Sequence, residues 1–293
     1  MTLAFVTSLR HPANATDYGR VEALLERTLR SIARQTSDDY VVIVVGNRPP
    51  SFALPPRTTF VPVDFPPTAE PVKREERWEA LIADKGSKLA VGLLAARTHE
   101  PDFVMVFDAD DFVHRDLVRW VGAQDPASPG WYIADGWRYS SARGAGERID
   151  DLYRVCGTCY VVPWRAYAVP EGLPASATQA EVLEAFGERA RFILGKHRDA
   201  DVWFAEHGFP LAPLPFAGSV YHVDTGENHS GKRIDGPASM MPRAIAAEFG
   251  IAHAHPWPVR WWRCEGWRLR DAARGLAGRA ARRIRRLVAR RDA

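Results

Sequence analysis

The chain has 293 residues, of which 46% are hydrophobic, and its formal net charge at pH 7 is +3. It contains no run of about 18 apolar residues, which argues against a membrane-spanning helix, and its three cysteines argue against a disulfide framework. The start of the chain resembles a first strand rather than a signal peptide, so we expect a cytoplasmic protein with one large or two small α/β domains.

The charge is unevenly distributed. Residues 259–293 hold twelve arginines against three carboxylates, a local balance of +9, so the first 258 residues sum to −6. The basic tail therefore needs an explanation of its own.

The first half of the chain has the hydrophobic pattern of a parallel α/β sheet. Leu3–Ser8 is strand-like, a helical period runs from Asp17 to Ile32, and Val41–Val45 is a second buried strand. Residues 48–72 contain eight prolines and predict an irregular loop with short extended pieces. A strand–helix–strand opening is typical of a parallel sheet covered by helices.

Two helical stretches are predicted next, Arg74–Asp84 and Leu89–Ala96, with a helix start at Lys85-Gly86-Ser87-Lys88. The apolar run Phe103–Phe107 then predicts a strand buried on both faces. The remaining predicted elements are strands at Trp131–Ala134 and Arg154–Val162, a helix at Ala180–Leu194, an extended run at Leu211–Val223 and a polar loop at Val223–Pro237.

Three carboxylates, Asp108, Asp110 and Asp111, follow the Phe103–Phe107 strand directly. Open α/β sheets bind ligands just beyond the carboxyl ends of their strands. Hard oxygen ligands at such a place suit Mg²⁺ or Mn²⁺ shared with a phosphate-bearing substrate. The motif therefore predicts a metal site that holds a diphosphate. The alternative is that these aspartates only form turns and cap helices.

The order of elements resembles the A-type glycosyltransferase (GT-A) fold, in particular glycosyltransferase family 2 and its bacterial relatives. Four matches carry the resemblance: Thr7-Ser8 ends the first strand, Asn47 ends the second, Lys85–Ala90 starts a helix, and Asp108-Ala109-Asp110-Asp111 has the family's Asp-x-Asp form. It covers residues 3–135 well and 136–235 more loosely.

This resemblance implies a single Rossmann-like α/β domain with a central, mostly parallel sheet flanked by helices. Residues 1–135 would form the nucleotide-sugar-binding half and 136–256 the acceptor-binding half, followed by a basic C-terminal helical tail at 257–293. The implied function is metal-dependent transfer of a sugar from a nucleotide-sugar donor to a glycan or lipid-linked acceptor, in bacterial surface polysaccharide assembly. Mn²⁺ or Mg²⁺ would clamp the diphosphate.

The resemblance also implies roles for individual residues. The implied metal ligands are Asp108, Asp110, Asp111 and His222, with His229 as the alternative to His222. The implied nucleotide-sugar-binding residues are Thr7, Ser8, Asn47, Lys85, Lys88 and Asp108. The alternative for the two lysines is a solvated helix face.

An inverting transferase, which we expect here, also needs a general base for the acceptor hydroxyl. The family places an acidic residue near the start of a helix in the second half. Asp199 and Asp201 are the candidates at that place, with His197 as a third. The alternative for Asp199 is that it caps the helix.

Tryptophans and arginines dominate the tail. Trp257, Trp261, Trp262 and Trp267 precede a segment in which apolar residues from Leu269 to Val288 fall at helical spacing. This pattern predicts a basic amphipathic helix that binds an anionic membrane surface, which would place the protein peripherally on the inner face of the cell membrane. The alternatives are a helix docked on the core and a nucleic-acid arm; we expect no nucleic-acid partner.

Two other functions fit parts of the pattern. A haloacid-dehalogenase-type phosphatase also has Asp-x-Asp after a strand, but it carries this motif near the start of its catalytic domain. The second alternative is a non-catalytic sugar-nucleotide- or glycan-binding protein on the same scaffold. Release of nucleoside diphosphate from a donor would exclude this binding protein.

Overall fold

A computed structural model describes residues 1–68, 74–227, 231–253, 255–266 and 269. His229, Trp267 and the predicted tail helix beyond Leu269 lie outside the described residues. The strands are β1 (Leu3–Ser8), β2 (Tyr40–Gly46), β3 (Thr58–Pro62), β4 (Phe103–Val106), β5 (Phe112–Val113), β6 (Trp131–Tyr132), β7 (Gly136–Ser140), β8 (Ala145–Ile149), β9 (Tyr160–Pro163), β10 (Ala212–Pro213), β11 (Ser219–Val223) and β12 (Ser239–Met240). The helices are α1 (Tyr18–Ile32), α2 (Arg74–Ala96), α3 (Leu117–Gly122), α4 (Gln179–Phe186), α5 (Ala200–Glu206), α6 (Arg243–Glu248) and α7 (Trp257–Cys264).

Seven strands form the main sheet, in the order β10-β6-β9-β4-β1-β2-β3. β1 runs parallel to β2 and β4, and β2 runs parallel to β3, whereas β9 is antiparallel to both β4 and β6. The predicted fold class, an α/β domain with a central, mostly parallel sheet flanked by helices, is confirmed. A second sheet of five strands, in the order β12-β8-β7-β11-β5, accompanies it.

The order of the parallel strands creates a crevice. From β1 the chain moves outward to β2 and β3 and then returns to the other side of β1 as β4. At such a reversal the connections leave the sheet in opposite directions, which opens a ligand site at the carboxyl ends of the two central strands. The segments that follow β1 and β4 therefore border this site.

Local sequence explains the first elements. The Asp17 side chain accepts a hydrogen bond from the Arg20 backbone N–H at 3.2 Å and caps α1, whose apolar face is buried as predicted. β1, β2 and β4 are buried almost throughout, since helices cover both faces of the sheet.

The two helices predicted around Lys85–Lys88 are one continuous helix, α2, so the predicted helix start is wrong. Gly86 marks a close contact inside this helix rather than its beginning. A Cβ atom at Gly86 would lie 2.0 Å from the carbonyl oxygen of Ala190. Only glycine allows the short π-helical turn Ala190–Gly195 to pack this closely on α2.

Two further boundaries differ from the prediction. The helix expected over Ala180–Leu194 ends at Phe186, because Gly187 adopts a positive φ of 53°. The strand expected from Arg154 begins only at Tyr160, since the residues around Arg154 form a 3₁₀ turn.

The start of the predicted tail packs on the second sheet. Arg260 and Cys264 of α7 are 6% and 0% exposed. The aliphatic stem of Arg260 lies against Gly144, which has a positive φ of 71° in the turn between β7 and β8. Among the described residues, no helix combines the length and the apolar character needed to cross a membrane.

Candidate functional site

The acidic motif lies at the carboxyl end of β4, beside the end of β1. The Asp108 side chain is 29% exposed, Asp110 is half-buried, and Asp111 is fully buried. Burial, followed by the negative charge of Asp108, raises the pKa of Asp110 to about 7. Two carboxylates thus face the crevice close enough to repel each other.

Lys85 on α2 is the nearest partner of Asp108. Its Nζ donates to Asp108 Oδ1 at 2.5 Å. Burial alone would lower the pKa of Lys85, but the charges of Asp108, Asp111 and Asp110 outweigh it and raise that pKa. Gly157 packs on the other carboxylate oxygen, since a Cβ there would lie 2.4 Å from Asp108 Oδ2. The predicted neighbours Lys85 and Asp108 are therefore brought together.

Asp111 differs because its carboxylate is already occupied by the protein. Oδ2 accepts from Thr158 Oγ1 at 2.6 Å and from Cys156 Sγ at 3.1 Å, and Oδ1 accepts from the backbone N–H of His222 at 2.9 Å. Thr158 Oγ1 also accepts from the backbone N–H of Asp108 at 2.9 Å. Asp111 therefore ties the acidic loop to β11 and to the segment before β9.

His222 supports the same loop from β11. The Nδ1–H group donates to the Asp110 carbonyl oxygen at 3.1 Å, and Nε2 accepts from Ser141 Oγ at 2.9 Å. Burial lowers the pKa of His222 to about 4, so the ring is neutral at pH 7. Both ring nitrogens are engaged, which makes His222 a support for the backbone of Asp110 in this arrangement.

The predicted residues at the ends of β1 and β2 have different surroundings. Thr7 is buried and donates to the Phe107 carbonyl oxygen at 2.7 Å, which joins the ends of β1 and β4, while Ser8 is partly exposed. Asn47 Nδ2 donates to the Phe65 carbonyl oxygen at 2.7 Å, and its buried Oδ1 has no hydrogen-bond partner among the described residues. Asn47 therefore offers an acceptor to a ligand N–H or O–H.

Lys88 belongs to the interior rather than to the crevice. Its side chain is fully buried, its Nζ donates to the Leu9 carbonyl oxygen at 3.1 Å, and it pairs with Asp84 at 2.9 Å. It holds the end of β1 against α2. Of the two predicted lysines, only Lys85 reaches the aspartates.

An ion pair that was not predicted closes the opposite side of the site. Arg10 Nη1 donates to Glu227 Oε2 at 2.7 Å, and Glu227 Oε1 accepts the backbone N–H of Asp17 at 2.9 Å. Burial lowers the pKa of Arg10, against the opposing charges of Glu227 and Asp110. Thr225 Oγ1 lies 3.5 Å from Asp110 Oδ2. The sequence signal for Arg10 was its place two residues after Ser8, at the end of β1.

The three candidates for the base lie on the segment before and within α5. Asp199 is exposed, has a positive φ of 65° and makes no capping side-chain hydrogen bond. Asp201 and His197 are half-buried, and Tyr160 Oη lies 3.5 Å from Asp201 Oδ1 and 3.1 Å from the His197 carbonyl oxygen. Burial, followed by the positive charge of Lys85, lowers the pKa of His197 to about 4.

Cys159 shows how close these groups are to the aspartates. Its thiol is buried, and burial raises its pKa, with the charges of Asp108, Lys85 and Asp201 all acting on it. Cys159 directly precedes Tyr160, the first residue of β9, whose Oη lies 3.5 Å from Asp201 Oδ1. Cys156 and Cys159 are both free, buried thiols.

No family model and no curated protein matches this chain. Solved structures with a similar chain trace include those of S. aureus TarS. TarS 1–349 in complex with UDP-GlcNAc is 14% identical, with 80% of this chain and 62% of that chain covered and a TM-score of 0.41. TarS 1–349 in complex with UDP is 11% identical, with 76% and 61% covered and a TM-score of 0.42. This chain thus spans about three fifths of those proteins.

Proposed function

We propose that this chain is a glycosyltransferase that moves a sugar from a nucleotide-sugar donor to a glycan or lipid-linked acceptor, with inversion, in bacterial surface polysaccharide assembly. The observation that carries the proposal is the placement of Asp108 and Asp110. Both carboxylates lie at the carboxyl ends of the central parallel strands, at the reversal of strand order, between Lys85 and Arg10. A nucleoside diphosphate is the ligand that such an edge and such a mixture of charges suit.

The residues present fit a divalent cation that shares its ligands with the donor. The raised pKa of Asp110 reflects negative charge that a cation would neutralise. The described residues hold no group of three or more His, Cys, Asp or Glu side chains arranged for a metal, and Mg²⁺ or Mn²⁺ needs only one or two carboxylates when water and phosphate oxygens complete its shell. Asp108 and Asp110 would hold the ion, which would neutralise charge on the diphosphate.

The other charged groups bind and orient the donor. Lys85 pairs with Asp108 and Arg10 pairs with Glu227, so in this proposal both cations border the diphosphate position. As the bond from sugar to diphosphate breaks, negative charge grows on the leaving oxygen, and fixed cations stabilise that charge. Asn47 Oδ1, at the end of β2, accepts a hydrogen bond from the nucleoside.

Asp201 removes the proton from the acceptor hydroxyl in this proposal. It is half-buried beside Tyr160 and shares its surroundings with Asp108 and Lys85, whereas Asp199 points away into solvent. Inversion requires a base on the side of the sugar opposite to the leaving diphosphate, and Asp201 takes that role in this proposal.

The tail anchors the protein to a membrane in this proposal. Trp257, Trp262 and Leu269 are 49%, 49% and 54% exposed on and just after α7. Aromatic and apolar side chains next to twelve arginines suit the interface of an anionic leaflet. A peripheral position on the inner face of the cell membrane would bring a lipid-linked acceptor within reach.

Turnover of nucleotide-sugars tests the function directly. We expect the protein to release nucleoside diphosphate from at least one donor of a UDP-, GDP- and dTDP-sugar panel in Mn²⁺ or Mg²⁺, and EDTA to abolish this release. Asp110→Asn should lower turnover at least about a hundredfold, because it removes an anionic contact at the leaving group. The exposed Asp150→Asn is the matched control.

The alternatives give different results in the same assays. Hydrolysis of p-nitrophenyl phosphate with Mg²⁺, without turnover of any donor, would identify a phosphatase. Donor binding without release of nucleoside diphosphate would identify a non-catalytic binding protein. Full turnover by Asp110→Asn would exclude the proposed site.

A further inference from the structure

A groove of about 600 Å³ lies on the second sheet, outside the crevice at the end of β4. The β7–β8 hairpin forms one wall, and β12 with the residues just before it forms the other. Its lining includes Trp137, Met240 and two prolines, Pro237 and Pro242. A concave site of this volume is within the range that holds small ligands.

The charges in this groove are balanced. Three arginines and three carboxylates line it: Arg138, Arg148, Arg233, Glu147, Asp235 and Glu265. Arg138 pairs with Glu147 at 3.0 Å, and the buried Nε of Arg138 has no hydrogen-bond partner among the described residues. A strongly anionic or cationic ligand would meet as many like as opposite charges. The lining instead offers donors and acceptors to a neutral polar molecule.

Trp137 completes the chemistry of a sugar site. Trp137 lines the groove and is half-buried, and it also packs against the hydrophobic cluster that contains Tyr139 and Val220. The part of the indole that this cluster leaves uncovered can cover an apolar surface. A pyranose ring has one apolar C–H face and several hydroxyls that donate and accept hydrogen bonds. An indole beside paired arginines and carboxylates fits both features at once.

The groove is connected to the aspartates through one strand. β7 runs parallel to β11, with Trp137 opposite Val220. Thr225, which contacts Asp110, follows Val220 by five residues, or roughly 17 Å of extended chain at about 3.4 Å per residue. With about 4.8 Å between neighbouring strands, the backbone of Trp137 lies within roughly 22 Å of that of Thr225. A chain of a few sugar units can cover that distance.

We propose that this groove binds a neutral oligosaccharide segment of the acceptor, a few sugar units from the hydroxyl that reacts. The role of this oligosaccharide as an acceptor rests on the proposed function, but the groove itself would bind the oligosaccharide without any donor.

A glycan array probed with the full chain tests the groove. The array should carry neutral oligosaccharides, for example glucose, galactose and N-acetylglucosamine trisaccharides, beside uronate-containing ones. We expect binding to at least one neutral oligosaccharide and at least a tenfold loss of affinity in Trp137→Ala, with partial recovery in Trp137→Phe. Trp78→Ala, which removes a tryptophan that is 52% exposed on α2, should bind as the original chain does.

Arg148→Ala keeps the test decisive if Trp137→Ala fails to fold, because Arg148 is 65% exposed and can be removed without disturbing the interior. Its affinity should also fall. Three results would overturn the proposal that the groove binds a neutral oligosaccharide. These are binding to uronate-containing glycans alone, no glycan binding, and full affinity in both folded variants. Donor turnover without glycan binding would refute only the proposed role of the groove. Glycan binding without donor turnover would refute only the proposed transferase function.

Discussion

Asp108, Asp110 and Asp111 are neighbours in sequence, but their surroundings differ. Asp111 accepts three hydrogen bonds and is fully buried. Burial, followed by the charges of Asp110 and Asp108, raises its pKa well above its ordinary value, and the hydrogen bonds from Thr158 and the His222 backbone oppose that rise. Asp110 makes a long contact with Thr225, and His222 supports its backbone; burial, followed by the charge of Asp108, raises its pKa to about 7. In the proposed function Asp108 and Asp110 would therefore hold an ion or ligand that brings positive charge, because the oxygens of Asp111 are engaged by the protein.

The proposed base gives a prediction at a single residue. Asp201→Asn should lower the rate of sugar transfer at least about a hundredfold, the usual contribution of a general base, while the affinity for nucleotide changes little. Such a variant lowers kcat without altering donor binding. Steady-state transfer rates and nucleotide titrations measure the two quantities, and Asp150→Asn serves as the exposed control.

Asp199→Asn and His197→Gln decide between the candidates. One of these two variants could lose more transfer activity than Asp201→Asn at unchanged nucleotide affinity. The residue replaced in that variant would then be the base that takes the proton of the acceptor hydroxyl. Equal rates in all three variants would point to a reaction without a base on α5.

The neutral ring of His222 makes stability depend on pH. Its folded-state pKa of about 4 lies below its ordinary value of 6.5, so the unfolded chain binds the extra proton first as the pH falls. This contribution to the free energy of unfolding is fully present above pH 6.5 and is lost as the pH falls toward 4. At about 1.4 kcal/mol for each pH unit, the loss is about 3 kcal/mol.

Urea unfolding at several pH values measures this effect. His222→Gln should flatten the decline between pH 6.5 and 4, whereas the exposed His99→Gln should leave it unchanged. An identical decline in His222→Gln would show that other groups cause it.

Among the elements, α2 depends most on one contact. It packs on the π-helical turn Ala190–Gly195 through Gly86 and Gly195, and a Cβ at Gly86 would overlap the Ala190 carbonyl group. Gly86→Ala should therefore destabilise the protein by about 1–3 kcal/mol, although alanine normally favours a helix by about 1 kcal/mol. Because Lys85 is the adjacent residue, donor turnover should fall as well.

Gly122→Ala is the matched control, since Gly122 ends α3 and nothing lies within 4 Å of its Cβ position. Chemical denaturation should show a neutral or stabilising change there. A stabilising Gly86→Ala variant would mean that the turn does not pack on α2 as described.

Secondary-structure elements could be predicted from the sequence where the hydrophobic periodicity is strong. α1, β1, β2 and β4 follow their patterns because their apolar residues fill the main core. The break after Phe186 lies at Gly187, and a glycine is a local signal for the end of a helix. The packing of Gly86 against Ala190 could not be read, since it joins segments that are about a hundred residues apart. The same holds in the site: the position of Asp110 follows from β4, whereas the Arg10–Glu227 pair joins two loops that are 217 residues apart.

At the scale of the whole molecule, α7, at the start of the predicted tail, belongs to the folded domain. Arg260 and Cys264 are buried on the second sheet, whereas Trp257 and Trp262 remain exposed. A chain that ends at Gly266 should keep the free energy of unfolding of the full chain. A chain that ends at Pro258 should lose stability, because it removes the Arg260 stem that covers Gly144.

Membrane binding should separate from folding in the same pair of proteins. The full chain should bind anionic vesicles and release them as salt rises, because exposed charges are screened beyond about 8 Å at physiological ionic strength. The chain that ends at Gly266 should not bind, and it should still turn over a donor in solution. Equal vesicle binding by both proteins would contradict the proposed role of the tail.

The prolines on the two edge strands of the main sheet affect edge-to-edge pairing between molecules. The outer strands are β3 and β10, and each ends in a proline, Pro62 and Pro213. A proline has no N–H to offer an incoming strand, so neither rim can be extended for long by backbone pairing. Concentrated protein should therefore resist ordered β-polymerisation even when many copies are gathered on one membrane.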